Sequence, residues 1–238
     1  MSGAPSGRTV QIARVVRMLD RASDTRSLFL EPANGRPLGF VPGQFISIQI
    51  PLPDELRSRA YTVASDPGER DFEVVFNRVP GGRGVEWLFA REPGDEISFV
   101  GPFGSFTLEH PPAVETVFLA EGTAIAPIRP ILRRASTLAA HPQLTLLYAA
   151  VSERNLLYCD EFRELAGRDR GVSLETLVGP TTEVHRWLRV ETERRYVLAD
   201  RERSRQFYIC GVGKAVIELR DLLRGAGYER RAVHYEQW

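Results

Sequence analysis

Several things are scarce in this sequence, and each scarcity excludes a class of chemistry. Cysteine occurs only at Cys159 and Cys210 in 238 residues, too few for a disulfide framework, a four-thiolate zinc site or an iron–sulfur cluster on four thiolates. Any metal cluster in its chemistry is therefore expected on another protein. The four histidines, His110, His141, His185 and His234, lack metal-ligand spacing, so no metal is expected and all four are assigned surface or structural roles. Lysine occurs once, at Lys214, and every other basic residue is arginine, a bias that a GC-rich genome produces as readily as phosphate recognition does. Charge of one sign is also missing: 31 basic residues balance 31 acidic ones, which argues against nucleic-acid or anionic-membrane binding. No run approaches the roughly 18 apolar residues of a spanning helix, and Met1 to Gly7 holds no apolar signal core. A cytoplasmic protein without membrane insertion is expected.

What is present is a globular composition, 43% hydrophobic and 26% charged, at a length suited to one large or two small domains. From Thr9 to Leu108, short alternating runs are split by Gly, Pro and Asp clusters, the pattern of an antiparallel barrel. Strands are expected at Val10–Met18, Ser27–Leu30, Gln44–Ile50, Arg59–Val63, Asp71–Asn77 and Glu96–Val100, with one helix near Val85–Arg91. Pro111-Pro112 is a stiff punctuation, which divides the chain into 1–110 and 111–238. Beyond it strands and helices alternate: Thr116–Ala120, Ala126–Ala140, Leu144–Ala149, Leu156–Leu165, Val172–Leu177, Phe207–Cys210, Ala215–Ala226 and Ala232–Tyr235. This alternation predicts an α/β domain, a parallel sheet with helices on both faces and ligands beyond the strands' carboxyl ends.

Five stretches carry candidate chemistry. Arg59-Ala60-Tyr61-Thr62 sets a cation and a ring on one face of a strand and a hydroxyl on the other, as any barrel strand with a surface arginine also would. Gly81-Gly82-Arg83-Gly84-Val85 is a glycine loop entering a helix, where backbone amides approach a phosphate closely or simply close a hairpin. Glu121-Gly122-Thr123-Ala124-Ile125-Ala126-Pro127 joins a strand to a helix, where open parallel sheets bind a pyrophosphate. Cys210-Gly211 ends another apolar strand, and a cysteine there is as readily a small buried hydrophobe as a reactive group. The chain closes on Glu236-Gln237-Trp238, and an indole as last residue raises the question of what it packs against.

In this order the five stretches resemble the ferredoxin-NADP reductase superfamily, over roughly Thr9 to Trp238. The resemblance implies a flavin-binding barrel over 1–110 and an NAD(P)-binding α/β domain over 111–238. Its Arg-x-Tyr-Ser/Thr motif implies Arg59 on the flavin phosphate, Tyr61 against the flavin ring and Thr62 near N5. The glycine loop implies phosphate contacts from Gly82, Gly84 and Val85, although Val85 stands where the family has a hydroxyl. Gly122, Thr123 and Pro127 match the nucleotide loop, in which Glu121 and Ala124 replace glycines, so Glu121 is expected to turn away, pair with an arginine or weaken the site. Cys210 and Gly211 are implied beside the nicotinamide, with Glu236 a positioner and Trp238 a ring that covers the flavin and must move for nicotinamide. The implied activity passes electrons from NADH or NADPH through bound FAD to a one-electron protein acceptor such as ferredoxin or an oxygenase component. Thr181-Thr182-Glu183 favours NADH, because an acidic group there repels a 2′-phosphate. Two alternatives stand beside this reading: a free-flavin reductase, and a non-catalytic sensor motivated by Glu121, Ala124 and Val85.

Overall fold

Alternation builds the first half of the chain. In β3 (Phe45–Pro51) the side chains of Ile46, Ile48 and Ile50 are fully buried while Ser47 and Gln49 between them are not, the period of two of a half-buried strand. The same alternation runs through β6 (Glu96–Phe103) and the start of β1 (Gln11–Ala22), while β2 (Thr25–Pro32) and β5 (Phe72–Asn77) are mostly buried and β4 (Leu56–Thr62) mostly exposed. The computed structural model describes residues 9–108, 112–138 and 141–237. In it these six strands form an antiparallel sheet in the order β4-β3-β6-β1-β2-β5. A bridge between Val63 and Val74 joins the two outer strands, so the sheet closes into the expected barrel. Its core holds Leu28, Leu30, Val74 and the edge-to-face pair Phe72 and Phe99, 5.6 Å apart. Helix α1 (Arg83–Phe89) adds Val85 and Leu88 to it. Each such side chain contributes about 1.5–3 kcal/mol by leaving water.

The second unit follows a different logic. All seven residues of β8 (Leu144–Ala150) are buried, as happens where helices cover both faces of a parallel sheet. With β7 (Thr116–Glu121), β9 (Val172–Val178), β10 (Gln206–Gly211) and β11 (Val233–Gln237) it forms a five-stranded parallel sheet ordered β11-β10-β7-β8-β9. From β7 the chain moves outward through β8 and β9, then returns to place β10 on the other flank of β7. The change of direction lies between β7 and β10. On one face Phe118, Tyr148 and Tyr208 lie inward with α2 (Ile125–Ser136) and α3 (Cys159–Arg168), where Tyr148 meets Phe162. On the other, Val117, Leu119, Leu147 and Ile209 pack against Val184 and Leu188 of α4 (Thr181–Thr192) and Val216 and Leu219 of α5 (Lys214–Gly225).

Two elements differ from expectation. Helix α4 was not among the expected elements, and it carries the chain between β9 and β10 before a π-helical turn over Glu193–Leu198. Arg203, itself at φ 54°, closes this turn by donating to the carbonyls of Tyr196, Val197 and Ala226 at 2.7–2.8 Å. Helix α3 begins at Cys159 rather than Leu156, because a short 3-10 turn over Glu153–Asn155 and Tyr158 at φ 59° come first. Helix α2 runs through Pro130 without ending.

Candidate functional site

In the barrel, β4 carries Arg59, Tyr61 and Thr62 as neighbours of β3. Arg59 is exposed and donates to the Ser58 carbonyl at 2.8 Å. Tyr61 is half-buried with its ring edge-on to Phe76 at 5.7 Å, and burial pushes its phenol up to about 12 against the pull of the Arg59 charge. Thr62 is 4% exposed, and its hydroxyl has no hydrogen-bond partner. Burying such a group unsatisfied costs about 1–3 kcal/mol, a cost that a polar ligand atom would remove.

The glycine loop lies beside this strand. A Cβ on Gly82 would come 2.9 Å from the Val79 carbonyl oxygen, and one on Gly84 would come 3.2 Å from Ile50 Cδ1 and 3.9 Å from Arg59 Cγ. Glycine thus lets the start of α1 lie against β3 and the aliphatic stem of Arg59. Val85 points into the barrel core, so its side chain is not available to a ligand and only its backbone is. Arg83 is held outward by Asp54, whose carboxyl the guanidinium keeps at about 2.

In the parallel-sheet unit the candidates collect at the carboxyl ends of β7, β10 and β11. Gly122 takes φ 53°, which a side chain would resist, and opens a 3-10 turn that runs into α2 with Ala124 and Pro127 buried. The turn is fixed from beneath: the buried Tyr148 hydroxyl lies 3.0 Å from the carbonyls of Gly122 and Asn155 and accepts from the Leu157 amide at 2.8 Å. Cys210 is 2% exposed and stands next to Ala120 on one side and Glu236 on the other. The Gly211 backbone passes so close to α5 that a Cβ would meet Val216 Cγ2 at 3.1 Å. Glu236 Oε2 is buried without a partner, and burial pushes its carboxyl up to about 7. His234 stacks on Tyr208 with ring centres 4.5 Å apart, and burial lowers its basicity. Trp238 lies outside the described residues.

Among the described residues three buried side-chain polar atoms lack a partner: Thr62 Oγ1, Glu236 Oε2 and Arg224 Nε. Two of the three belong to residues that the sequence motifs single out, and native proteins rarely leave such atoms unsatisfied without a reason. Glu121 was expected to turn away, pair with an arginine or weaken the site. It pairs instead with His185 of α4, Nε2 to Oε2 at 2.8 Å. His185 was assigned a surface or structural role, and its proximity to Glu121 had no local signal, because the two are 64 residues apart.

Two family profiles match the chain. The family profile described as "Oxidoreductase FAD-binding domain" matches residues 13–108, and that described as "Oxidoreductase NAD-binding domain" matches 118–219. Ferredoxin–NADP reductase B of Sorangium cellulosum (strain So ce56) is 34% identical over 235 residues, covering 95% of this chain and 96% of that protein. The chain belongs to the ferredoxin-NADP reductase superfamily. The propane 2-monooxygenase reductase component of Rhodococcus jostii (strain RHA1) is 34% identical over 172 residues, 71% of this chain and 45% of that longer protein. In fold, a ferredoxin NADP+ reductase from Neisseria gonorrhoeae with bound FAD and NADP superposes with a TM-score of 0.79 at 17% identity, covering 96% of this chain and 98% of that one. This reductase is an oxidoreductase that uses FAD and a nicotinamide nucleotide. The polar atoms and glycine-lined turns described above fit both groups. Among the described residues no helix is long and apolar enough to cross a membrane.

Proposed function

We propose that this reductase passes electrons from NADH, through FAD, to a separate one-electron protein acceptor, a ferredoxin or the electron-accepting component of an oxygenase. The observation that carries this reading is the pair of unsatisfied buried atoms, Thr62 Oγ1 and Glu236 Oε2, each at the motif position that the family uses beside its reacting rings. When bound, FAD supplies the exchange between a two-electron hydride and single electrons. The chain's own residues then have positional tasks. Arg59 and the backbone of Gly82, Gly84 and Val85 hold the flavin phosphates, Tyr61 supports the ring, and Thr62 satisfies its hydroxyl on the ring's polar edge. Gly122, Thr123 and Pro127 shape the turn that receives the nucleotide pyrophosphate, while Cys210, Gly211 and Glu236 line the nicotinamide position with Trp238 as its gate. None of them acts as a nucleophile.

The two cysteines, Cys159 and Cys210, both buried, are too few to ligate a cluster within these 238 residues, which supports an acceptor outside the two units described. Their reduced state also favours the cytoplasm. The preference for NADH rests on Glu183, whose Oε2 would be 2.9 Å from a Cβ on Gly179 at the end of β9. The Sorangium relative, by contrast, is named for NADP. The test is anaerobic titration of the purified protein, with FAD retained through gel filtration, by NADH and by NADPH, followed by addition of a reduced-cluster-forming ferredoxin. Bleaching by NADH and onward reduction of the ferredoxin are expected. Loss of the yellow colour on the column would favour a free-flavin reductase, and failure to bleach would favour a sensor.

A further inference from the structure

The contact between Glu121 and His185 lies at the carboxyl edge of the parallel sheet, where the strand order changes direction. Glu121 is the last residue of β7 and Gly211 the last of β10, the two strands between which the sheet changes direction. A Cβ on Gly211 would lie 3.8 Å from Glu121 Oε2, so the carboxylate lies beside the Gly211 backbone at the carboxyl edge. Open parallel sheets bind anionic ligands at this point. A bare carboxylate there opposes a pyrophosphate. His185, whose side chain is 34% exposed against 13% for Glu121, reaches the carboxylate from α4.

We infer that His185 is a positioning residue whose proton neutralises Glu121 and so admits the dinucleotide, which makes nucleotide affinity in this reductase dependent on the charge of one histidine. The inference rests on the nucleotide-binding role of this unit. Histidine is the side chain that ordinarily changes charge between about pH 5 and 8. Protonated, His185 and Glu121 sum to zero. Deprotonated, they leave one negative charge beside the phosphates, and binding then has to overcome it or take up a proton. Binding and protonation therefore favour each other.

Other charged groups share the neighbourhood. Arg189, one turn along α4, reaches Glu218 of α5 at 4.0 Å, Glu183 and Arg186 flank His185 on α4, and Glu236 and His234 lie on β11. A pH profile of the parent alone therefore does not isolate the pair, whereas a double-mutant cycle does, since these groups stay constant through it.

The probe is ADP-ribose, which carries the pyrophosphate and no nicotinamide. Its binding to the FAD-loaded protein is measured by calorimetry between about pH 6 and pH 8.5, the range that brackets an ordinary histidine. The parent is expected to bind more weakly as pH rises. His185→Gln keeps a hydrogen-bonding side chain without the charge and is expected to bind about 10-fold more weakly than the parent at low pH, meeting it at high pH, an effect of the size of one partly screened charge. Glu121→Gln is expected to bind more tightly than the parent with a pH dependence of the same sign, because the His185 charge remains in it, whereas the double variant is expected to bind tightly with a flatter profile. A His185→Gln profile that follows the parent throughout, or a Glu121→Gln protein that binds no more tightly than the parent at high pH, overturns the inference. Absence of binding by the parent at every pH overturns the nucleotide-site reading itself. Melting temperature and FAD absorbance, recorded for all four proteins, separate misfolding from lost charge.

Discussion

At the scale of single residues, the site consists of groups held in states they would not choose in water. Glu236 has a carboxyl raised to about 7 by burial, so the folded chain binds its proton more tightly than the unfolded chain does. The penalty is absent below the ordinary carboxylate range and grows as pH rises through that range to about 7, where it levels off on the order of a few kcal/mol. Glu236→Gln should therefore melt several degrees above the parent at pH 8 and close to it at pH 4.5, as followed by calorimetry of the FAD-loaded protein. Thr62 gives a second case. Thr62→Val removes the unsatisfied hydroxyl and should leave the flavin-free protein as stable or about 1 kcal/mol more so, while the loaded protein loses FAD affinity by a comparable amount. Equal loss in both forms would contradict the assignment. His185 was not legible at this scale, since its meaning comes from a contact across 64 positions and local pattern carries nothing of it.

Among the elements, legibility followed periodicity. The buried Ile46, Ile48 and Ile50 announce β3, and the run from Leu144 to Ala150 announces a strand covered on both faces. The glycine turns were legible for the same local reason, because Gly122 and Gly82 occupy backbone geometry or space that other residues do not tolerate. Helix α4 was missed although Val184, Trp187 and Leu188 repeat at helical spacing. Its Thr181, Thr182, Val184, Val190 and Thr192 are β-branched and weak helix formers, so packing against Leu119 and Leu147 rather than propensity makes it a helix. A related dependence governs the Gly122 turn, which Tyr148 ties to the segment before α3. Tyr148→Phe should lower stability by about 1–3 kcal/mol, because the Leu157 amide loses its acceptor in a buried place, and should weaken ADP-ribose binding with FAD content unchanged. Chemical denaturation and calorimetry measure the two effects.

For the whole molecule, the balance of charge sets behaviour in solution. Equal numbers of acidic and basic residues and a sequence isoelectric point near 6.9 leave little net repulsion at neutral pH. Solubility is expected to pass through a minimum close to pH 7 and to recover about one pH unit to either side, which light scattering across a pH series would record. Both units have cores of their own, one built on Phe72 and Phe99 and one on Phe207, Tyr196 and Tyr228. In the second, Asp200 is buried, yet hydrogen bonds from Tyr228 and Arg205 hold its carboxyl at about 2. The stability it contributes is present above the ordinary aspartate range and is lost as pH falls toward 2.

The single lysine has a practical consequence. Lys214 is exposed and opens α5 directly after the Cys210-Gly211 turn, so besides the α-amino group the described chain offers one aliphatic amine to an acylating dye. A fluorophore attached there would sit a few residues from the Cys210-Gly211 turn, which we propose lines the nicotinamide position, and on that proposal would report its filling without any engineered cysteine.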